Sequence, residues 1–188
     1  DQLFDRTKSR VNTFFDRDVV VHAAFADPFC PVLSGLVADA AEGSGAARVH
    51  RGGTYVCMEG PLFSTRAEAR LYRQWGMDVI GMTALPEAKL AREAELCYAT
   101  IACVTDYDSW HATETSVSVD LVVANLIKNV ATAQAIIRAA VPRLPADRAT
   151  AGCVCAHALA DAIITDRAAI PPAARERYGL LLGKYLSD

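Results

Sequence analysis

The sequence predicts an α/β fold in which helices cover a β-sheet. Segments rich in β-branched residues alternate at short spacing with amphipathic segments, a pattern typical of such sheets. The 188 residues suffice for a domain with a sizeable core, and 52% of them are hydrophobic against 22% charged. We expect a single α/β domain over residues 1–188, with a core portion at 1–145 and a C-terminal helical tail at 146–188.

The first five elements follow from residue type. Residues 1–16 are polar without a period and predict a loop, whereas residues 17–25 are β-branched and apolar and predict a strand. A proline opens an amphipathic helix at 31–42. A strand at 53–59 precedes a helix at 65–75, whose start has the Thr-x-x-Glu spacing of a capping box.

The later elements continue the alternation, with boundaries set by prolines, glycines and hydrophobic spacing. In chain order they are a strand at 78–82, a helix at 86–96, a strand at 97–104, a long helix at 119–143 capped by Ser118, a short helix near 156–164, and a helix after the prolines at 171–172.

Charge and hydropathy exclude several classes of partner. The net charge of -3 gives no basic footprint, so we expect no nucleic-acid binding. No apolar run approaches the roughly 20 residues of a membrane helix, so no membrane association is expected. Residues 1–6 lack the pattern of a secretory signal, and a cytoplasmic location follows as the expectation. The chain begins without Met, as if inside a longer gene product.

The six cysteines are interpreted mainly as small buried hydrophobes, because Cys57, Cys97 and Cys103 lie in apolar runs. Cys153 and Cys155 leave three alternatives: an inert pair, a redox or structural disulfide, or metal ligands together with His157. The spacing lacks a second ligand pair, so no metal site is predicted.

Two acids after the predicted strand at 97–104 are the main functional signal. Asp106 and Asp108 are two residues apart, and such residues of an extended segment point the same way, roughly 6–7 Å apart. Burying both is costly unless they bind something. Read alone, they remain a surface loop, a sugar-cleaving carboxylate pair, or part of a ligand site at a strand end.

Three further residues have two interpretations each. Phe63 after Gly60-Pro61 is either a core aromatic or a stacking face for a base. Thr83 either caps a helix or binds an anion at its start. His22 is either a satisfied core histidine or a residue of a site or interface. Glycine-rich loops of the dinucleotide and P-loop kinds are absent from the sequence.

Five segments resemble the signature blocks of the 5'-methylthioadenosine phosphorylases, in the purine nucleoside phosphorylase superfamily. They are Met-Glu-Gly-Pro-Leu-Phe-Ser-Thr-Arg-Ala-Glu at 58–68, Trp-Gly-Met-Asp-Val-Ile-Gly-Met-Thr at 75–83, Ala-Cys-Val-Thr-Asp-Tyr-Asp-Ser-Trp at 102–110, Val-Ser-Val-Asp at 117–120, and Asp-Pro-Phe-Cys-Pro at 27–31. The resemblance implies a mixed, twisted β-sheet flanked by helices, the nucleoside phosphorylase fold, lacking its N-terminal third.

The same resemblance implies a role for each matching residue. Asp106, as the catalytic residue, would face the adenine ring nitrogen, with Asp108 facing the exocyclic amine and Tyr107 beside them. The other implied roles are Phe63 at the base, Met82 at the ribose, Thr83 at phosphate, Ser64 and Val119 in specificity, Val117, Val122 and Val123 in the methylthio pocket, and His22 reaching a neighbouring subunit's site.

The implied reaction converts methylthioadenosine and phosphate into adenine and 5-methylthioribose-1-phosphate. Phosphate is a co-substrate, and no cofactor is expected. The implied assembly is a homotrimer, or one in which a second polypeptide supplies the missing third. Two alternatives stay open: a phosphorylase for adenosine or 5'-methylthioinosine, and a non-catalytic fragment that binds purine or forms the trimer.

Overall fold

Parallel strands form the central sheet. The structure, a computed structural model, describes residues 1–44, 48–111, 119–149 and 151–186, without the side chains of residues 119–122. Within these residues the strands are β1 (Gln2–Arg6), β2 (Thr54–Met58) and β3 (Val79–Gly81), in the order β1-β2-β3. Both pairings are parallel, and the sheet's middle strand buries Val56 and Cys57 completely.

The described α-helices surround and extend this sheet, and most match the predicted helices. They are α1 (Pro31–Gly43), α2 (Arg66–Gln74), α3 (Ala84–Glu93), α4 (Val119–Ala140), α5 (Pro172–Arg177) and α6 (Gly179–Leu186). The predicted capping box is confirmed: the Glu68 N–H donates to Thr65 Oγ1 at 3.2 Å, and the Thr65 N–H donates to Glu68 Oε2 at 2.8 Å.

The prediction of a loop at residues 1–16 is wrong in its first part, because β1 occupies Gln2–Arg6. Phe4 stands opposite Val56 in the ladder with β2. β1 is one of the two outer strands among those described, and it is only partly buried. An outer strand needs backbone pairing on one side and tolerates polar side chains, so its sequence does not show the alternation of a core strand.

Residues 17–25 do not form the predicted strand. The segment makes a single antiparallel bridge, between Val21 and Ile163. Its apolar residues instead pack against the tail, where Val19 joins a core with Leu159 and Leu182. Val19 in this segment is buried by side-chain packing, and the segment does not pair as a strand in a ladder. The β-branched composition therefore indicated burial correctly but not the strand.

Residues 97–104 also do not form a strand with any described part of the chain. Val104 is 69% exposed, against the expectation of a buried strand. Side-chain amides take the place of a ladder partner: Asn129 Nδ2 donates to the Val104 carbonyl at 3.2 Å, and Asn125 Nδ2 donates to the Thr105 carbonyl at 2.9 Å. An apolar run is consistent with a strand, but it forms one only where a partner strand lies beside it.

The predicted helix near 156–164 is a 3₁₀ turn at Cys155–His157 followed by further turns. An α-helix here would require the Leu159 N–H to donate to the Cys155 carbonyl. That N–H donates instead to Glu95 Oε1 at 3.0 Å. Among the described residues, no helix combines the length and the apolar character that a membrane span requires.

Glu95 makes stability depend on pH. It is only 8% exposed, and its carboxylate accepts from the Leu159 N–H, Tyr185 Oη and Lys184 Nζ. Burial opposes the charged form, but the hydrogen bonds from Lys184, Tyr185 and the Leu159 N–H outweigh it and lower the pKa of the Glu95 carboxyl.

A carboxyl whose pKa is lower in the folded state stabilises the fold above its unfolded pKa, which is about 4.3. We therefore expect the free energy of unfolding to fall as the pH drops from about 5 through the lowered folded pKa of Glu95. Urea unfolding across this range measures the effect. The slope with pH should diminish in Glu95→Gln, and an unchanged slope would contradict the assignment.

Candidate active site

The carboxyl ends of β1, β2 and β3 lie along one edge of the sheet, because all the strands run parallel. The segments that leave this edge are residues 7–10 after β1, residues 59–65 before α2, and Met82 and Thr83 before α3. Ligands of open α/β sheets bind at such an edge. Two of the three predicted strand-end features are thereby confirmed as neighbours.

The Arg10 guanidinium joins these segments. It donates to the carbonyls of Met58 (3.2 Å), Glu59 (2.6 Å), Met82 (2.7 Å) and Leu85. Its Nε also pairs with the Glu59 carboxylate at 3.0 Å. A planar fork with five donors suits this arrangement, in which carbonyls from the ends of β2 and β3 converge on one side chain.

Gly60 permits close contact between the loops after β2 and β3. Its φ is +70°, in the left-handed region that disfavours side chains. A Cβ on Gly60 would lie 2.7 Å from Met82 Sδ, closer than atoms can approach. Glycine at this position therefore leaves room for the Met82 side chain against the turn that leads to Phe63.

A hydrogen bond brings the acidic segment to the same edge. Ser64 Oγ lies 3.0 Å from each carboxylate oxygen of Asp108, and the Ser109 N–H also donates to Asp108 Oδ1 at 2.7 Å. Asp108 is half-buried. The residues predicted for specificity and for the base are thus in direct contact, although the segment before them is not a strand.

Asp106 differs from Asp108 in its surroundings. It is exposed, and the hydroxyl of the adjacent Thr105 donates to it. Of the two acids that the sequence places after a predicted buried strand, only Asp108 is half-buried. The two carboxylates have separate partners, because the segment is irregular and the i, i+2 geometry of a strand does not apply.

Aromatic side chains lie on both sides of the acids. Tyr107 is 57% exposed and stacks on His111 with ring centroids 4.6 Å apart. The Arg73 guanidinium lies 3.8 Å from the centre of the Trp110 ring, which anchors the segment to α2. Phe63 is 84% exposed, so its interpretation as a core aromatic is wrong.

The structure describes the side chains of three of the remaining predicted site residues. Thr83 is exposed at the N-cap of α3 and makes no side-chain capping bond to that helix. His22 is exposed, so it is not a core histidine, and its backbone N–H donates to the Ala162 carbonyl at 2.8 Å. Val123 is partly exposed on α4. Val117 lies outside the described residues, as do the side chains of Val119 and Val122.

A cluster of four cysteines includes none of the predicted site residues. The sulfurs of Cys30, Cys97, Cys153 and Cys155 all lie within 4.8 Å of one another, and none is in a disulfide. Burial raises the pKa of the Cys97 and Cys155 thiols. Burial also opposes the Cys153 thiolate, but hydrogen bonds from the Cys155 backbone and from the other thiols lower the pKa of Cys153 overall.

Arg10 is the residue of this edge that sequence reasoning missed. It lies in the polar segment 1–16, where nothing in the residue order distinguishes it from the exposed Arg6. Its importance depends on carbonyls that are 48 to 75 positions away in the chain. No local pattern reports such contacts.

Replacement of Ser64 by alanine tests the link between Ser64 and Asp108. The loss of a hydrogen bond to a charged group costs about 1.5–3 kcal/mol where the partner stays buried. Because Asp108 is half-buried, we expect the lower part of this range in the free energy of unfolding, measured in urea. Ser109→Ala is the control, since the Ser109 hydroxyl only reaches the Ser64 carbonyl at 3.5 Å. Equal effects in the two variants would contradict the assignment.

The protein has a parallel sheet with helices and a polar, partly aromatic site at the carboxyl ends of its strands. This arrangement is typical of α/β proteins that bind small ligands at that edge. Residues 1–142 match the family described as the phosphorylase superfamily, and the chain belongs to it. The family match confirms the predicted nucleoside phosphorylase fold. The sheet was predicted to be mixed, and both pairings of its described strands are parallel.

The relatives narrow this class. The chain is 57% identical over 187 residues to an S-methyl-5'-thioadenosine phosphorylase of Geobacter sulfurreducens and 53% identical over 188 residues to one of Koribacter versatilis. These alignments cover 99% and 100% of this chain but 64% and 63% of the relatives. The chain therefore spans a little under two thirds of their length.

Solved structures of the same family superimpose on this chain. A methylthioadenosine phosphorylase from an Antarctic soil metagenomic library superimposes with a TM-score of 0.87 at 44% identity, over 97% of this chain and 63% of that one. The methylthioadenosine phosphorylase of Schistosoma mansoni in complex with adenine gives a TM-score of 0.75 at 31% identity, over 87% of this chain and 64% of that one.

Proposed function

We propose that this chain carries the purine-recognising part of an S-methyl-5'-thioadenosine phosphorylase. The reaction transfers the methylthioribosyl group from adenine to phosphate, in methionine and purine salvage. The observation that carries the proposal is the contact of Ser64 with Asp108, which joins the acidic segment to the loop of Phe63 at the strand ends. The relatives' names and their 53% and 57% identity support it.

The proposed chemistry assigns different tasks to the two acids. As the glycosidic bond breaks, negative charge develops on the purine, and Asp106 acts as the general acid at the ring nitrogen. Asp108, held as an acceptor by Ser64 and the Ser109 N–H, takes a hydrogen bond from the 6-amino group. A 6-oxo purine would place acceptor against acceptor, so this site selects adenine.

The other groups complete the substrate. Phe63 offers an exposed ring face to the base, and the Met82 backbone contacts the ribose. Thr83, whose hydroxyl makes no capping bond, holds phosphate at the start of α3. We assign the apolar pocket for the methylthio group to Val123 on α4 and, by resemblance to the family, to Val117, Val119 and Val122, whose side chains lie outside the described residues.

The proposed enzyme uses phosphate as co-substrate and no catalytic cofactor. It is a homotrimer in which the exposed His22 reaches a neighbouring subunit's site, or an assembly to which a second polypeptide contributes. We place it in the cytoplasm, where the free thiols of all six cysteines would persist.

Adenosine is the second candidate substrate. It is favoured by a structural relative named adenosine/methylthioadenosine phosphorylase, from Schistosoma mansoni, at 31% identity. The two nucleosides share the base and differ at the 5' position, which the valines would face. A comparison of kcat/KM for methylthioadenosine, adenosine and 5'-methylthioinosine separates these functions.

Adenine release from methylthioadenosine, with and without phosphate, tests the proposal. We expect release that requires phosphate and yields a sugar phosphate. Release that ignores phosphate would indicate a hydrolase. No release, from a sample whose intact mass reveals no second polypeptide, would favour a non-catalytic fragment and overturn the proposal.

A further inference from the structure

Four cysteines from three distant parts of the chain meet in one place. Cys30 precedes α1, Cys97 follows α3, and Cys153 and Cys155 lie in the tail. Cys30, Cys153 and Cys155 are buried and Cys97 is half-buried. The second ligand pair that the sequence spacing lacked is therefore supplied by the fold.

The distances fit a tetrahedral ion. Zinc with Zn–S bonds of about 2.3 Å places its four sulfurs about 3.8 Å apart. Cys153 Sγ lies 3.7 Å from Cys30 Sγ and 3.3 Å from Cys97 Sγ, and all four sulfurs fall within 4.8 Å. The sulfur separations are therefore close to those that one tetrahedral ion imposes.

The surroundings suit thiolate ligands. The Leu33 N–H donates to Cys30 Sγ at 3.4 Å, at the N-terminus of the 13-residue helix α1, where negative charge is favoured. The Arg148 side chain lines the same cleft as Cys97 and brings a positive charge to the cluster. Such outer contacts orient metal ligands and offset their charge.

A cleft of about 350 Å³ lies beside the cluster and is lined in part by Cys30, Cys97, Cys153 and Arg148. It offers an ion a path to the sulfurs, which a fully enclosed cluster would not.

We propose that Cys30, Cys97, Cys153 and Cys155 bind one Zn²⁺ ion as a structural tetrathiolate site. Four protein ligands leave no open position, so the ion takes no part in phosphorolysis. It ties the tail to the start of α1 and to the turn after α3. The site is independent of the proposed function, and it departs from the sequence expectation that no metal is bound.

The test begins with the protein purified anaerobically from zinc-supplemented cells. Elemental analysis should give one zinc per chain, and removal of the ion by a chelator should lower Tm by about 5–10 °C relative to zinc at a hundredfold excess over Kd. Cobalt in place of zinc should give the visible bands of a tetrahedral ion and thiolate charge-transfer absorption. These measurements use the parent protein, so they do not depend on whether a cysteine variant folds.

Cys153→Ser should weaken zinc binding at least about tenfold in competition with a chromogenic chelator. Cys103→Ser is the matched control, because Cys103 is exposed and outside the cluster, and it should bind zinc as the parent does. Substoichiometric zinc with all cluster thiols reduced would overturn the proposal. A disulfide among the four cysteines, detected by mass spectrometry, would overturn it as well.

Discussion

Replacing Asp106 by asparagine is expected to lower kcat/KM for methylthioadenosine by about 10²–10⁴-fold, the usual contribution of a general acid. An amide cannot deliver a proton to the departing purine, although it can still donate a hydrogen bond. The 6-substituent lies on the same edge of the purine as the ring nitrogen that Asp106 faces, so the new NH₂ group can also donate to a 6-oxo group. We therefore expect the ratio of kcat/KM for 5'-methylthioinosine over methylthioadenosine to rise. Steady-state assays with both nucleosides measure it.

Asp161→Asn provides the control for this experiment. Asp161 is exposed in the tail, so the variant makes the same chemical change away from the strand ends. Its kinetics should equal those of the parent. If Asp106→Asn cleaved methylthioadenosine as fast as the parent, the catalytic role of Asp106 would be wrong, even if the substrate were correctly identified.

Removal of the Arg10 guanidinium is expected to weaken the fold and the site together. The side chain is 20% exposed, and it bonds four carbonyls, three that follow β2 or β3 directly or end β2 and that of Leu85 in the first turn of α3. In Arg10→Ala these carbonyls lose a charged donor, and we expect the free energy of unfolding to fall by about 2–4 kcal/mol. Urea unfolding measures the loss.

The effect of Arg10 on activity separates positioning from stability. Arg10 holds Met82 and the Glu59 backbone, so a misplaced edge should lower kcat/KM by roughly 10–100-fold at temperatures where the variant is folded. Arg10→Lys should recover little, because an ammonium cannot span the carbonyls. Arg138→Ala, exposed on α4, is the control. An Arg10→Ala variant that is destabilised but has unchanged kcat and KM would show a structural role alone.

Most of the helices could be predicted because their signals are local. The capping box at Thr65 and the proline that opens α1 act within one turn of the residue that carries them. β2 and β3 were predicted as well, since each is a short run rich in β-branched or apolar residues that follows a glycine, Gly53 or Gly76. The strands at 17–25 and 97–104 were wrong because apolar composition reports burial, whereas a strand also needs a partner for its backbone.

The candidate site divides in the same way. Phe63, Met82 and Asp108 were predicted from their positions after predicted strands, and Ser64 from the resemblance to the family. The structure places them at one edge of the sheet or joins them to it. The exposure of Asp106 and of Phe63 was not predicted, because it depends on what covers the strand ends. Arg10 was missed, because its partners are distant in sequence.

The sequence by itself determined the α/β class, most of the helices and the residues that resemble a nucleoside site. Those features depend on residue type and on spacing within a few positions. Tertiary structure alone decided the pairing of β1, the convergence of carbonyls on Arg10 and the meeting of Cys30 and Cys97 with Cys153 and Cys155. Each of these joins residues dozens of positions apart, and only the path of the folded backbone brings such residues within bonding distance.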